Sequence, residues 1–463
     1  MREFDLVVIG SGPAGQKAAI QAAKLGKRVA VIERHSAIGG ASVNTGTLPS
    51  KTLKDAIYYL HGFKLRSFPN IAYSLKKNFT MNDLMARKDL VIKHELDVII
   101  NQLERNDVEI ITGTASFLDS HTVQVTKQDG QTDRFIAPFI IIATGSRPRR
   151  NDMIPFNDKT ICDSDSILST DALPKTMTVV GGGVIGCEYA SMFAAFGIKV
   201  TLCDTRNELL RFVDQEIVQA LIYHMRANGV TMKIGEHLDR VEENQRGRVV
   251  ATFKSGKTVV TDMLLYCMGR MANTNELNLG AIGLATDKLG QITVNAHYQT
   301  ELPHIYAAGD VIGFPGLAST SMEQGRLAAC HAFQVEQSAL PKVIPYGIYT
   351  IPEISTVGKT EEELTQDNVP YEVGRAFYKE IARGQIVGDF EGLLKLIFHR
   401  DNMDLLGVHI IGEGATELVH IGQAVLTYKG KVDFFVHNVF NYPTLAECYR
   451  TAALDGINRL AKN

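Results

Sequence analysis

The sequence predicts an α/β protein in which a strand–helix–strand unit with a glycine-rich turn occurs twice and an α+β region follows. Glu33 follows Gly10, and Asp204 follows Gly181, by the same interval of 23 residues. In both units an apolar strand precedes the glycines and a second apolar strand ends at the acid. From about Pro345 the pattern changes to strand-like segments interspersed with helical ones. These observations predict two Rossmann-like dinucleotide-binding domains and a C-terminal α+β domain.

Length and composition limit the classes of function. A chain of 463 residues is expected to hold about two to four domains. Its 45% apolar and 21% charged residues are typical of a globular protein. The formal charge of -3 predicts neither a nucleic-acid footprint nor a polybasic membrane patch. No signal peptide or apolar run of membrane-spanning length is recognised, so a cytoplasmic protein is expected.

The cysteines predict free thiols. No two of them form a CxxC or CxxxxC arrangement, so neither a redox motif nor a metal site is indicated. Buried thiols in a reducing compartment are expected for all six: Cys162, Cys187, Cys203, Cys267, Cys330 and Cys448.

The first unit contains GSGPAG between its first strand and its helix. Gly10 permits a tight turn, and Gly12 lets a pyrophosphate approach the backbone at the helix N-terminus. Gly15 lets the helix and the strand pack closely, and Glu33 can accept hydrogen bonds from a ribose diol. The predicted elements are a strand over 4–10, a helix over 16–25 and a strand over 29–32.

The second unit repeats this pattern with GGGVIG. Gly181, Gly183 and Gly186 take the three glycine positions, and Asp204 takes the place of the acid. A helix is predicted over 187–196 and a strand over 199–204. Two such units in one chain predict two dinucleotide sites, one for a resident cofactor and one for a visiting nucleotide.

Asp204 and Arg206 bear on which nucleotide visits. An acid at this strand end favours the ribose diol of NAD(H) and repels the 2′-phosphate of NADP(H). Arg206, two residues later, offsets that repulsion if it makes a charge-assisted contact with the phosphate. The alternative is a solvated arginine in a turn, and the sequence leaves both interpretations open.

Residues 39–51, GGASVNTGTLPSK, resemble the active-site segment of the flavoprotein disulfide reductases, GGxCxNxGCxPSK. Further motifs extend the resemblance along essentially the whole chain: GSGPAG, ATG, GGGVIGCE, YCMGRMANT, AAGD, PEISTVGKTE and NYPTLAE. By these motifs the chain is identified as a member of the FAD-dependent pyridine nucleotide–disulfide oxidoreductases.

Two departures from that family concern its redox chemistry. Ser42 and Thr47 stand where the reductases have their cysteine pair, and hydroxyl groups cannot form a disulfide. Tyr442 stands where the reductases have the histidine that exchanges protons with those thiols, although Glu447 keeps the adjacent glutamate position. Electrons are therefore expected to enter and leave through a flavin alone. Packing at an interface is the simpler interpretation of Tyr442 and Glu447.

The resemblance implies roles for individual residues. Lys51 matches the lysine beside the flavin N5 edge, and Glu188 matches the glutamate that pairs with it. The lysine is expected in the first turn of a helix beginning near Pro49. Taken alone, both residues are equally typical of solvated helix faces.

Further FAD contacts follow from the matched motifs. The segment 300–310 resembles the second FAD fingerprint of the family, in which Asp310 accepts a hydrogen bond from the ribityl chain. The remaining cofactor-binding positions implied by the resemblance are Gly40, Ser42, Thr47, Thr144, Gly145 and Gly269.

The resemblance also implies the domain organisation and the activity. FAD-binding segments are expected at 1–150 and 274–344, an NAD(P)-binding domain at 151–273, and a dimerisation domain at 345–463. The expected reaction is hydride exchange between NADPH and NAD⁺ through FAD, with both nucleotides using one site in turn. Alternatives are a quinone, oxygen or redox-protein acceptor, and a non-catalytic FAD-binding protein. A homodimer or an assembly of dimers is expected.

Overall fold

The computed structural model describes residues 1–65, 80–336 and 338–461. The N-terminal part contains the strands β1 (Arg2–Glu3), β2 (Leu6–Ile9), β3 (Val29–Glu33), β4 (Glu109–Thr112), β5 (Thr114–Phe117), β6 (Thr122–Thr126), β7 (Thr132–Ile136), β8 (Phe139–Ile142) and β9 (Ser146–Pro148). Its helices are α1 (Pro13–Lys24), α2 (Gly40–Asn44), α3 (Thr47–Leu65) and α4 (Met81–Glu104).

The middle part contains β10 (Ile161–Asp163), β11 (Thr176–Val180), β12 (Lys199–Asp204), β13 (Thr231–Ile234), β14 (Leu238–Glu243), β15 (Val249–Phe253), β16 (Thr258–Thr261), β17 (Met263–Tyr266) and β18 (Arg270–Ala272). Its helices are α5 (Val184–Phe196) and α6 (Gln215–Ala227).

The C-terminal part contains β19 (Ile305–Ala307), β20 (Tyr346–Ile348), β21 (Ile354–Gly358), β22 (Tyr371–Phe377), β23 (Leu393–His399) and β24 (Leu405–Ile411). Its helices are α7 (Ala318–Ala332), α8 (Glu361–Gln366), α9 (Ala382–Val387), α10 (Ala415–Thr427), α11 (Asp433–His437) and α12 (Glu447–Leu460). Short 3₁₀ helices occupy Ser166–Ser169, Leu279–Ile282, Asp310–Ile312 and Tyr378–Glu380.

Two parallel five-stranded sheets hold the two glycine-rich turns. The first has the strand order β19-β8-β2-β3-β4, and the second has the order β10-β17-β11-β12-β13. In each sheet the strand before the glycines lies centrally, because it is buried on both faces: β2 is entirely apolar, and in β11 every residue after Thr176 is buried. The carboxyl ends of these strands, where ligands bind in such sheets, therefore carry the turns.

Strand β19 completes the first sheet although it follows the second unit in sequence. It pairs in parallel with β8, with Ile305 opposite Ile140. The antiparallel pair β9–β18 joins the two units at the point where the chain leaves the first sheet. The segment 300–310, which resembles the second FAD fingerprint, thus contributes a strand to the first sheet.

The last five strands, β20 to β24, form an antiparallel sheet of order β20-β21-β24-β23-β22. Helix α12 packs against β22, and helix α10 packs against β24 and β21. Apolar residues from both helices and the sheet form one buried cluster that includes Phe398, Phe435 and Tyr449. The predicted fold class is confirmed: two Rossmann-like units precede an α+β unit.

Several helix starts differ from the sequence-based expectation. Helix α1 begins at Pro13 rather than residue 16, and α5 begins at Val184 rather than residue 187. Gly12 and Gly183 adopt extended N-cap conformations, so each helix starts directly after its second glycine. Helix α3 begins at Thr47, which places Lys51 in its second turn rather than its first. Among the described residues, no helix is both long and apolar enough to cross a membrane.

Candidate functional site

One connected cavity joins both glycine-rich turns, the segment 40–51 and the beginning of the C-terminal sheet. Its volume of about 1720 Å³ exceeds the roughly 300–1,000 Å³ of a typical small-molecule pocket. The predicted site residues that line it are Gly10, Gly12, Glu33, Gly40, Ser42, Thr47, Lys51, Thr144, Gly145, Gly181, Gly183, Glu188, Asp204, Arg206, Gly269 and Asp310.

The two predicted glycines outside this lining, Gly15 and Gly186, lie within the first turns of α1 and α5. A Cβ on Gly15 would lie 1.9 Å from the carbonyl oxygen of Gly10. A Cβ on Gly186 would lie 1.7 Å from the carbonyl oxygen of Gly181. Neither position therefore accommodates a larger residue. The role of both glycines is to let the helix pack closely against its turn.

The first turn closes tightly against β8. Gly10 has a φ of +107°, and a Cβ there would lie 2.3 Å from the carbonyl oxygen of Ala143. At the end of β3, the buried Glu33 carboxylate accepts hydrogen bonds from the backbone N–H (3.0 Å) and hydroxyl (2.7 Å) of Ser11. Its other oxygen accepts from the backbone N–H of His35 at 3.1 Å. The acid is thus held in place before any ribose hydroxyl binds.

The segment that resembles the disulfide-reductase active site packs directly on this turn. The Gly39 N–H donates to the Ser11 hydroxyl at 2.9 Å. A Cβ on Gly40 would lie 2.8 Å from the Cα of Gly12, so the two backbones touch. The first glycine-rich turn is therefore covered by α2, a segment from beyond its own strand–helix–strand unit.

Thr144 and Asp310 supply polar groups at the ends of β8 and β19. The Thr144 Oγ1 is buried and has no hydrogen-bond partner among the described residues. The Asp310 carboxylate accepts a hydrogen bond from the Ser146 hydroxyl at 2.7 Å. The Ser146 hydroxyl in turn accepts one from the Arg270 guanidinium at 2.8 Å. A buried hydroxyl without a protein partner beside a cavity is a group that a bound ligand can satisfy. These groups, the Gly12–Gly40 contact and Glu33 fit the hydroxyl and phosphate groups of FAD.

The second turn repeats the backbone geometry, and Leu209 packs on it at Gly182, but it is open at Gly183. Gly181 has a φ of +117°, and a Cβ there would lie 2.9 Å from the carbonyl oxygen of Cys267. No atom of the described residues lies within 4 Å of a Cβ built on Gly183. A dinucleotide can therefore approach this helix N-terminus from the open cavity.

Arg206 is paired with Asp204. The Arg206 Nε and Nη2 donate to the two carboxylate oxygens at 3.0 and 2.9 Å, and the backbone N–H of Arg206 donates at 2.7 Å. The Gly182 N–H also donates to this carboxylate. Burial raises the pKa of Asp204, but these hydrogen bonds outweigh burial and hold it below the ordinary value. The carboxylate is buried, while 42% of the Arg206 side chain is exposed.

Lys51 and Glu188 meet between the two turns. The Lys51 Nζ lies 2.7 Å from a Glu188 carboxylate oxygen, and their side chains are 24% and 4% exposed. The second Glu188 oxygen accepts from the backbone N–H of Tyr349 at 2.9 Å. The Lys51 ammonium also lies 5.0 Å from the centre of the Tyr349 ring. The two residues matched by resemblance are thus brought together across 137 residues of sequence.

The positions that replace the thiol pair carry only hydroxyl chemistry. The Ser42 hydroxyl donates to the Gly39 carbonyl at 3.2 Å, and the exposed Thr47 opens helix α3. Tyr442 is 75% exposed. Glu447 begins α12, and its buried Oε2 has no hydrogen-bond partner among the described residues. The structure therefore places no acid–base pair at these two positions within the chain.

All six cysteines are free thiols, as predicted; five are buried, whereas Cys267 is partly exposed, contrary to the expectation that all six would be buried. Burial raises the pKa of Cys162 to about 11 and that of Cys203 to about 12. Both remain protonated and unreactive at neutral pH. Within the part of the chain that the structure describes, no group of three or more His, Cys, Asp or Glu residues is placed to hold a metal ion.

Four residues of the site were missed from sequence: Ser11, Ser146, Arg270 and Tyr349. Ser11 lies inside GSGPAG, so a hydroxyl next to the first glycine was an available signal. The others act through partners far along the chain; Tyr349 and Glu188, for example, are 161 residues apart. No local pattern indicates such contacts.

Comparison with known proteins gives a consistent family. Residues 4–325 match Pyr_redox_2, described as pyridine nucleotide-disulphide oxidoreductase. Residues 344–453 match the dimerisation domain of the same family. The chain is 50% identical over 461 residues to a soluble pyridine nucleotide transhydrogenase of Mycobacterium bovis, covering 99% of this chain and 98% of that protein. A protein of the same name from Pectobacterium atrosepticum is 48% identical over 463 residues, with the same coverage.

Solved structures of the same fold include proteins described as disulfide reductases. LpdA from Mycobacterium tuberculosis superimposes with a TM-score of 0.90 at 26% identity, covering 98% of this chain and 99% of that one. The HOCl-induced flavoprotein disulfide reductase RclA from Escherichia coli gives a TM-score of 0.87 at 26% identity, covering 97% and 99%.

Proposed function

The chain belongs to the pyridine nucleotide-disulphide oxidoreductase family, and we propose that it is an FAD-dependent transhydrogenase that exchanges hydride between NADPH and NAD⁺. The observation that carries this function is one cavity that contains two dinucleotide turns with Lys51 and Glu188 between them. Ser42 and Thr47 exclude a disulfide as the next electron carrier. In the proposed function, hydride received from one nicotinamide is returned to another.

FAD, when bound, supplies the capacity to accept and release hydride. The protein contributes binding, orientation and charge. Glu33, held by Ser11, is positioned to accept from the adenosine ribose of FAD, and the orphan Thr144 hydroxyl gains a partner. The Lys51 ammonium places a positive charge in the cavity, which stabilises negative charge that develops there during transfer. Glu188, fixed by the Tyr349 N–H, orients that ammonium.

Asp204 and Arg206 support the use of both nicotinamide nucleotides at one site. The Asp204 carboxylate lines the cavity and can accept from the ribose diol of NAD(H) when the Arg206 guanidinium turns away from it. With NADP(H), the exposed Arg206 guanidinium is free to leave the carboxylate and bind the 2′-phosphate. Asp204 then keeps the backbone N–H donors of Gly182 and Arg206, so it stays hydrogen-bonded in either arrangement.

Anaerobic titration tests the proposed reaction. NADPH is expected to bleach the flavin absorbance of the purified yellow protein, and NAD⁺ is expected to restore it. If a quinone restores the colour and NAD⁺ does not, the acceptor belongs to the alternative class. If NADPH leaves the band unchanged in a protein that holds FAD, the enzymatic assignment is wrong.

Steady-state kinetics test the use of one site in turn. Double-reciprocal plots against NADPH at several fixed concentrations of an NAD⁺ analogue are expected to be parallel, because donor and acceptor exclude each other from the second turn. Intersecting lines would show that both nucleotides bind together and would contradict the single-site scheme.

The assembly and its location are also proposals. Residues 344–453 match a dimerisation domain, and Tyr428, Val439 and Tyr442 expose 75–90% of their surface, which supports a homodimer or an assembly of dimers through this region. Light scattering of the active enzyme at micromolar concentration tests it, and a monomer would refute it. The six free thiols support a reducing, cytoplasmic location.

The boundaries of the domains remain proposals as well. We place FAD-binding segments at 1–150 and 274–344, the NAD(P)-binding domain at 151–273 and the dimerisation domain at 345–463. The family matches support the last boundary, since one ends at residue 325 and the other begins at 344. Expression of 151–273 as a folded fragment that binds NADPH would support the internal pair of boundaries.

A further inference from the structure

Lys51 and Lys54 lie about one turn apart on helix α3, and each pairs with a buried glutamate from a different part of the chain. Lys51 pairs with Glu188 of α5, as described above. The Lys54 Nζ lies 3.0 Å from a carboxylate oxygen of Glu353, just before β21. The Lys54 and Glu353 side chains are only 13% and 9% exposed. The second pair has no part in the chemistry proposed so far.

Glu353 connects this pair to Tyr349. Its second oxygen accepts hydrogen bonds from the backbone N–H and the hydroxyl of Thr416, both at 3.3 Å. The Tyr349 side chain lies beside the same Thr416. A Cβ on Gly347 would lie 3.1 Å from Thr416 and 3.5 Å from the Tyr349 ring, so the glycine leaves room for this contact.

Tyr349 connects back to Lys51. Its backbone N–H donates to Glu188, and its ring lies beneath the Lys51 ammonium at 5.0 Å. Hydrogen bonds thus join Lys51, Glu188 and Tyr349 on one side and Lys54, Glu353 and Thr416 on the other, and the two sets meet where Tyr349 packs beside Thr416. The Lys54 ammonium itself lies 5.0 Å from the ring centre of Tyr58, one turn further along α3.

Stability alone is a weak reason for such a pair. Desolvating two charges offsets most of their attraction, so a buried ion pair adds little stability compared with apolar residues of similar size. A pair whose carboxylate accepts further directional hydrogen bonds does restrict geometry. Here the Glu353 carboxylate fixes Thr416, and Thr416 lies beside Tyr349, the residue that contacts both members of the Lys51–Glu188 pair.

We propose that Lys54 and Glu353 are positioning residues for hydride transfer: their ion pair holds Tyr349 in the place that orients the Lys51 ammonium. The inference rests on the proposed function, in which that ammonium stabilises charge during transfer. Lys54 and Glu353, which do not line the cavity, would thus influence the rate of hydride transfer.

The test compares Lys54→Met and Lys54→Arg with Lys127→Met. Lys127 forms an exposed pair with Asp133 at 2.7 Å and is the matched control for loss of a lysine ion pair. Stopped-flow reduction of bound FAD by NADPH gives the transfer rate, and NADPH saturation gives its binding. Lys54→Met is expected to slow reduction by about tenfold to hundredfold, the size of a small misplacement of a reacting group, with little change in NADPH binding. Lys54→Arg, which keeps the charge, is expected to restore most of the rate.

A second readout does not depend on turnover. Competitive acetylation of the holoenzyme, followed by mass spectrometry of the Lys51 peptide, reports how firmly the ammonium is held. Lys54→Met is expected to raise the labelling rate of Lys51 by several-fold relative to wild type, and Lys127→Met is expected to leave it unchanged. Unchanged Lys51 labelling in Lys54→Met would overturn the inference even if NADPH fails to reduce the flavin.

The double variant Lys54→Met/Glu353→Gln guards against simple misfolding, because it leaves no uncompensated buried charge. It is expected to melt near the wild-type temperature and still to show slow reduction and fast Lys51 labelling. A double variant with the wild-type reduction rate and the wild-type Lys51 labelling would show that the Lys54–Glu353 pair only joins α3 to the segment before β21. Failure of NAD⁺ to reoxidise wild-type enzyme would refute the transhydrogenase function instead, and NADPH reduction and Lys51 labelling would still decide the inference.

Discussion

The two glycine-rich turns have nearly the same backbone and very different surroundings. Gly10 and Gly181 have φ values of +107° and +117°, and each approaches the carbonyl of a neighbouring strand end. The first turn is covered by α2 through the Gly39–Ser11 hydrogen bond and the Gly40–Gly12 contact. The second turn has open space beside Gly183.

This difference teaches how one fold holds one dinucleotide and releases another. The turn itself provides the same helix N-terminus and the same close backbone approach in both places. What differs is the space beside the second glycine of each turn, which Gly40 closes at Gly12 and which is open at Gly183. The covered first turn suits a resident FAD, and the open second turn suits nucleotides that exchange in every cycle.

The same substitution in both turns tests this comparison with the largest expected effect. Gly15→Ala and Gly186→Ala place a Cβ 1.9 and 1.7 Å from a carbonyl oxygen, so each must displace its turn at a cost of about 1–3 kcal/mol or more. Gly15→Ala is expected to yield colourless protein without bound FAD. Gly186→Ala is expected to stay yellow but to lose reduction by NADPH.

Absorbance of the purified variants and an NADPH titration measure both outcomes. Alanine at Gly26, whose Cβ would meet no atom within 4 Å, controls for the loss of a glycine, although its φ of +74° adds some strain of its own. If both variants lose FAD alike, the two turns are not functionally separate.

The two turns also show what was predictable from the sequence. Each strand–helix–strand unit is a local pattern whose glycines and final acid lie within 24 residues of one another, so spacing alone located both turns and both acids. The cover over the first turn was not predictable in the same way. It depends on the Ser11 hydroxyl meeting Gly39, 28 residues away, in a contact that no periodicity marks.

The Lys51–Glu188 pair was predicted through family resemblance rather than through local pattern. The contacts around this pair were not predicted, since Tyr349 comes from a strand region more than 150 residues beyond Glu188. The helices α1 and α5 begin earlier than predicted for a local reason. Each begins directly after an extended glycine N-cap, whereas the apolar periodicity used for the prediction is recognisable only about one turn later.

Removing the charge between the two turns is the next largest test. Lys51→Met is expected to slow FAD reduction by NADPH by about 10²–10³-fold, the usual effect of losing one electrostatic stabiliser. FAD content is expected to be unchanged, because the FAD turn and its acid are untouched. Stopped-flow spectroscopy measures the rate, and Lys127→Met again serves as the control. Equal loss of FAD and of rate would assign Lys51 to cofactor binding.

Arg206→Met addresses the open turn alone. It is expected to weaken NADPH by about 1.5–3 kcal/mol, the strength of a charged hydrogen bond, or roughly tenfold to hundredfold. NADH binding is expected to change little, since the Asp204 carboxylate retains the Gly182 and Arg206 backbone donors. Calorimetric titration with both nucleotides measures the ratio. An equal loss for both would return Arg206 to the role of a solvated turn residue.

Arg34→Ala provides the counterpart at the covered turn and the smallest expected effect. Arg34 directly follows the acid Glu33 and lines the cavity, but its guanidinium pairs with Glu276 at 3.1 Å while both side chains are largely exposed. Exposed pairs contribute about 0–1 kcal/mol, so FAD affinity is expected to fall by no more than about fivefold. Fluorescence titration of apoprotein with FAD measures this. If Arg34→Ala weakens FAD as strongly as Arg206→Met weakens NADPH, an arginine also controls affinity at the first site. The contacts of α2 on the first turn would then not be sufficient to distinguish the resident cofactor from the visiting one.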